Sequence, residues 1–219
     1  MKKIYGIGTG PGAADMLTIR AAKTIEKSDI IFAPFNKGLN MALDTAKDYI
    51  NDKKVILLDF PMGRVEREDY KKAAEIILKE IPEGGNGCFL TIGDPMVYST
   101  FIYIMDELEG EKIDIEIVSG IPSFIAAAGE SKLPLTKKGD SFLLCDELDE
   151  DMLDKVESIA ILKTSKNKEE LLDNLDAKNY TYTYVKRASS KESKVFTNKE
   201  DILNDKDYIS LILGRKKER

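Results

Sequence analysis

Over its first 120 residues the chain alternates short, β-rich apolar runs with longer stretches of helical periodicity, and no other feature constrains the fold as much. The runs are KIYGIGTG (3–10), DIIFAPF (29–35), KVILLDF (54–60), GCFLTIGD (87–94) and IEIVSG (115–120). Helical patterns lie between them over 16–28, 40–51 and 66–81, the first placing Leu17, Ala21 and Ile25 on one face with Asp15 positioned to cap its start. Strands alternating with helices form βαβ units around a parallel sheet. Such sheets take their ligands beyond the carboxyl ends of the strands.

After residue 120 the texture changes. SFLLC, SIAILKT, YTYTYVKRA, SKVFTN and YISLILG follow one another more closely, include one expected hairpin, and leave room for one or two helices, the clearest over 167–178. The length of 219 residues suits two domains of roughly 100 residues each. The expected division is an α/β domain over 1–120 with a mostly parallel five-stranded sheet, and a second α/β domain over 121–219 with a mixed sheet.

Composition removes several chemistries. The chain has no histidine, which excludes an imidazole base, a Ser-His-Asp triad and a histidine metal ligand. With 33 basic and 39 acidic side chains the net charge is −6, which argues against nonspecific binding to nucleic acid or anionic membranes. Cys88 and Cys145 sit in strand-like runs without CxxC spacing and are expected in the core, with no metal site. Apolar runs such as IIFAPF and SLILG are far shorter than the roughly 20 residues of a membrane span, and the opening MKKIYGIGTG lacks the features of a leader. A cytoplasmic protein is expected, with the terminal GRKKER a solvated tail.

Three loops carry the functional signal. The first holds Gly6, Gly8, Gly10 and Gly12 with Pro11 interrupting, a register that fails the GxGxxG fingerprint. The second strand also ends in FAPFN, without the acid that would hold a nicotinamide cofactor's ribose. An NAD-dependent oxidoreductase is therefore disfavoured, and the loop suits a ligand without phosphates. The second loop, TIGDPMVYSTF, places Gly93, Asp94 and Pro95 after a buried strand; Asp94 is able to accept hydrogen bonds from a ligand or to cap the following helix. The third, VSGIPSFIAAA, puts Gly120 after a strand and Ser123 at a capping position before a small-residue helix. Each is an ordinary turn or cap when taken alone. On one parallel sheet, three such loops converge on one edge and imply a pocket.

GIGTGPGAADMLTIRA, IIFAP, DFPM, IGDPMVYSTF, VSGIPSFIAAA and LPL, in this order, resemble the tetrapyrrole (corrin/porphyrin) methylase family, and within it the branch acting on carbon 20 of precorrin-2 or its cobalt complex. The resemblance implies two α/β domains with S-adenosylmethionine in the cleft between them, S-adenosylhomocysteine as product, a tetrapyrrole substrate over the first domain's carboxyl edge, and a homodimer. It carries cofactor contacts to Pro11, Ile92, Gly93, Asp94, Val97, Pro122, Ser123, Leu162 and Ala188. Gly10, Tyr98 and Ser99 fall to the substrate. Lys37 and Arg64 are chosen over Lys132, Lys137 and Lys138 as partners for its carboxylates, from their loop positions. Tyr98, Asp94 or water would take the proton released after transfer. Competing readings are a family member acting on another ring carbon or on a diphthine-type protein side chain and, outside the family, a non-enzymatic nucleotide-binding or dimerisation module.

Overall fold

A computed structural model describes residues 1–35, 40–61, 65–164 and 167–217. The chain divides into two compact units, Met1–Pro122 and Ser123–Arg219.

The first unit contains β1 (Lys2–Gly8), α1 (Ile19–Lys27), β2 (Ile30–Phe35), α2 (Met41–Ile50), β3 (Lys54–Asp59), α3 (Arg67–Glu80), β4 (Asn86–Thr91), α4 (Thr100–Glu107) and β5 (Ile113–Val118). The five strands form one sheet in the order β3-β2-β4-β1-β5, and every pairing is parallel. Alternation along the strands sends side chains to two separate cores, as expected for a sheet covered on both faces. Ile4, Phe32, Phe89 and Leu58 pack with Ala73, Ala74 and Ile77 of α3 and with Phe101 and Ile104 of α4. Ile7, Ile31, Cys88 and Leu90 pack with Ala21 and Ile25 of α1 and with Ala42 and Ala46 of α2. Burial pushes the Cys88 thiol up to about 12.

All five expected strands form, and the three expected helices form with shorter ends. One cap differs. Asp15 lies in a 3₁₀ turn, Ala14–Met16, and Thr18 caps α1 instead, its hydroxyl accepting the Ala21 N–H at 3.1 Å. The chain needs that extra turn to travel from the end of β1 to the helix start, so the first oxygen with helical spacing to an N–H is Thr18 rather than Asp15.

The second unit runs α5 (Ser123–Ser131), β6 (Phe142–Cys145), a 3₁₀ turn at Glu150–Asp154, β7 (Ser158–Leu162), α6 (Lys168–Ala177), β8 (Tyr180–Lys186), β9 (Lys194–Phe196), α7 (Lys199–Asn204) and β10 (Ser210–Lys216). Its sheet has the order β6-β7-β10-β8-β9 and is mixed: β6 and β7 are parallel, whereas β10 runs antiparallel to both β7 and β8, and β8 with β9 forms the hairpin. Tyr180, Tyr184, Ile159, Ile161 and Ile212 meet Leu172 and Leu175 of α6 and Ile202 of α7 in its core. Cys145 closes β6, its thiol raised by burial to about 11. No helix among the described residues is long and apolar enough to cross a membrane.

Candidate functional site

Strands β4, β1 and β5 are neighbours, and their last residues are in step: Gly8 pairs with Thr91, and Ile7 with Val118. The three loops that follow these strands therefore leave one rim side by side. Their backbones are in direct contact. A Cβ added to Gly120 would lie 2.1 Å from the Gly93 carbonyl oxygen and 2.7 Å from the Gly8 carbonyl carbon, and one added to Gly8 would lie 2.4 Å from the same oxygen. No side chain larger than hydrogen fits at either position.

The loops are also bonded to one another. Gly10 and Gly93 exchange two backbone hydrogen bonds, Gly93 N–H to Gly10 at 2.7 Å and Gly10 N–H to Gly93 at 3.2 Å. Both have positive φ, 77° and 73°. That conformation is accessible to glycine at little cost. Asp94 joins the second loop to the third: its Oδ2 accepts the Gly120 N–H at 2.9 Å and its Oδ1 the Met96 N–H at 2.8 Å. Beneath them runs a chain of hydroxyls. Ser99 donates to Thr91 Oγ1 at 3.2 Å and accepts the Phe101 N–H at 3.1 Å, capping α4, while the Thr91 carbonyl accepts both the N–H and the hydroxyl of Thr9.

This geometry sorts the expected residues. Gly10, Pro11, Gly93, Asp94 and Pro122 lie on the three convergent loops, with Gly10, Pro11 and Gly93 buried. Ile92, Met96 and Tyr98 expose 40%, 46% and 46% of their surface, so the second loop presents apolar and aromatic groups. Tyr98 adopts φ 46°, a left-handed conformation uncommon for a residue with a side chain. Val97 is half-buried, its N–H bonded to the Asp94 carbonyl. Ser99, expected at the substrate, is 4% exposed and its hydroxyl is engaged by Thr91 and Phe101. Ser123 is the first residue of α5, so the position before the helix is Pro122. Lys37 and Arg64 lie outside the described residues. Thr9 and Thr91 were not singled out by sequence, because a threonine at a strand end reads as ordinary β propensity.

In the second unit, Leu162 and Ala188 follow a comparable logic. β7 and β8 both run antiparallel to β10, so Leu162 and Lys186 end on the same edge, paired with Leu211 and Ser210. The backbone turns sharply just beyond, with Lys163, Arg187 and Ser189 at φ 57°, 47° and 67°. Ala188 is buried between the last two. Ionic contacts surround this edge: Arg187 Nε donates to Asp207 Oδ2 at 2.6 Å, and Asp205 accepts Lys186 Nζ at 2.7 Å and the Tyr184 hydroxyl at 2.8 Å. Burial works against the charge of Asp205, but hydrogen bonds from Lys186, the Asp207 N–H and Tyr184 outweigh it and bring the carboxyl down to about 2. Among the described residues no cluster of His, Cys, Asp or Glu is arranged to hold a metal ion.

The family model of the tetrapyrrole (corrin/porphyrin) methylases matches residues 3–203. The chain belongs to that family. This methylase is 35% identical, over 100% of its length and 98% of the relative's, to a probable cobalt-precorrin-2 C(20)-methyltransferase of Methanocaldococcus jannaschii. A solved cobalt precorrin-4 methyltransferase shares the methylase's fold at a TM-score of 0.79, with 22% identity, across 97% of this chain and 94% of that one. A uroporphyrin-III C-methyl transferase from Thermus thermophilus, complexed with S-adenosylhomocysteine, superposes at 0.72 with 16% identity over 97% of each chain.

Proposed function

We propose that this methylase moves the methyl group of S-adenosylmethionine to carbon 20 of cobalt-precorrin-2, or of its metal-free form, during construction of the cobalamin ring. One observation carries the choice of substrate and carbon: the likeness to the Methanocaldococcus jannaschii relative of that name extends over the whole of this chain.

The residues of the first rim fit such a cofactor. Residues 8–13, 91–99 and 118–123 contain no lysine or arginine. The N–H groups of Thr9, Gly10, Gly93 and Gly120 are already spent on Thr91, Gly93, Gly10 and Asp94. A pyrophosphate would find no cationic side chain on these residues and those four donors already taken. An adenosyl sulfonium needs neither, because apolar surface and carbonyl dipoles hold an aromatic base and a positive sulfur. S-adenosylmethionine, when bound, supplies a methyl on a good leaving group.

The chain's own residues then bind and align. We assign cofactor contacts to Pro11, Ile92, Gly93, Val97 and Pro122 of the three loops, and to Ser123, Leu162 and Ala188 of the second unit. Asp94 acts by holding the second loop against the third, since both its oxygens are engaged by backbone N–H groups. Gly10 and Tyr98 face the substrate in this reading, and Lys37 and Arg64 pair with its carboxylates. Holding a methyl at near-attack distance from an electron-rich ring carbon is worth about 7–11 kcal/mol in favourable cases, so alignment is the main catalytic contribution. Proton loss afterwards falls to the Tyr98 hydroxyl or to water. A cytoplasmic homodimer completes the proposal, and sedimentation of the purified protein tests the dimer.

The test of function is incubation with methyl-labelled S-adenosylmethionine and either cobalt-loaded or metal-free precorrin-2, reading mass and label position. Label on carbon 20 of one substrate supports the assignment and states which form is used. Label on another ring carbon, or on neither substrate, overturns it.

A further inference from the structure

The turn after β8 is held in an unfavourable backbone conformation by a carboxylate from another element. Arg187 and Ser189, at φ 47° and 67°, are left-handed residues with side chains, a state that persists only where the surroundings enforce it. The enforcement at Arg187 comes from the Asp207 carboxylate at 2.6 Å, the Glu192 carboxylate at 2.5 Å and its own N–H bonded to the Ile209 carbonyl at 2.8 Å. At Ser189 it comes from Glu130, in the last turn of α5. Glu130 Oε1 accepts the Ser189 N–H and Oε2 accepts the Ser193 hydroxyl, each at 2.5 Å, so one carboxylate ties both ends of the turn to the helix. Ala188 lies buried between the two left-handed residues.

The geometry points to Glu130 as a positioning residue: by pinning the 187–193 turn to α5 it fixes the main chain at Ala188, and through it the affinity for S-adenosylmethionine. The inference rests on the proposed cofactor contact at Ala188. Glu130 is exposed and both its oxygens are engaged by the turn, so removing it is expected to loosen the turn and leave the transfer step itself unchanged. The expected signature is a raised KM for S-adenosylmethionine at nearly constant kcat. Because the carboxylate is solvated, the effect is modest, about three- to tenfold.

Two readouts on the full chain test it. Hydrogen exchange across residues 187–193 reads the brace, and calorimetric titration with S-adenosylhomocysteine reads its consequence. Glu130→Ala is expected to speed exchange in that segment and weaken binding about three- to tenfold, with Glu130→Gln in between. Adding Ser189→Gly, which removes the cost of the left-handed turn, is expected to restore part of the affinity. If Glu130→Ala does not fold, Ser193→Ala, which deletes one of the two tethers, is expected to weaken binding by a smaller factor. Faster exchange with wild-type affinity overturns the positioning role while leaving the proposed function intact. Absence of S-adenosylhomocysteine binding by the wild-type protein overturns the proposed function, and this inference with it.

Discussion

At the carboxyl rim of the first sheet the chain makes its close turns by omitting side chains: Gly8, Gly93 and Gly120 touch backbone to backbone, and Gly10 and Gly93 take positive φ at little cost. At the edge of the second sheet where β7 and β8 end, the same kind of turn is made by Lys163, Arg187 and Ser189, which have side chains and must be forced. Glu130, Asp207 and Glu192 hold Arg187 and Ser189 in place. The first solution is steric. It is indifferent to salt and leaves no room for a side chain at Gly8 or Gly120. The second is electrostatic, so it tolerates changes of shape and responds to changes of charge and medium.

The comparison is broken most severely by giving the first rim a side chain. Gly120→Ala would drive a methyl into the Gly93 carbonyl, backbone against backbone. A loss of about 3 kcal/mol or more is expected, together with loss of S-adenosylhomocysteine binding, measured by thermal unfolding and calorimetry. A methyl tolerated there would show that the rim is softer than its contacts imply.

The first rim borrows the second's method at Asp94, and it too holds a left-handed residue with a side chain, Tyr98. Asp94→Ala leaves the Gly120 and Met96 N–H groups without an acceptor. A destabilisation of about 1–3 kcal/mol is expected. Asp94→Asn keeps one accepting oxygen and should fall between the two, in denaturant midpoint and in cofactor affinity alike.

For the second unit the sharper test is acid. Asp205 is held down to about 2 from an ordinary 3.8, so its contribution is fully present above about pH 4 and is lost as pH falls through 2. The difference corresponds to about 2 kcal/mol. Stability measured from pH 5 to pH 2 should fall in the wild type and be flatter in Asp205→Asn, which starts lower. The smallest effect is expected of Lys163→Gly, which relaxes a left-handed residue and sacrifices an exposed, 3.7 Å pairing with Asp146. A gain of up to about 0.5 kcal/mol is expected from urea unfolding, with unfolded-chain entropy offsetting the rest.

The same contrast explains what could be read from the sequence. Strand and helix periods, the two-unit texture and the convergence of three glycine loops were legible, because each is written in local spacing. Glycine advertises a positive φ. Arg187, Ser189 and Tyr98 give no such cue, since nothing near them in sequence reveals the left-handed turn. The structural tie made by Asp94 has no cue in the sequence because its partner Gly120 is 26 residues away. The burial of Ser99 has no cue either, because it depends on Thr91 and on how α4 docks. Glu130, separated from Ser189 by 59 residues, is indistinguishable in sequence from any surface carboxylate.

The two cysteines fall one to each unit, Cys88 inside the first core and Cys145 at the end of β6 in the second, both kept as thiols of low reactivity by burial. Each unit thus carries its own chemical clock. Alkylation by a soluble reagent, resolved by peptide mass, would time the opening of one half against the other in a single sample, with no label introduced and no residue replaced.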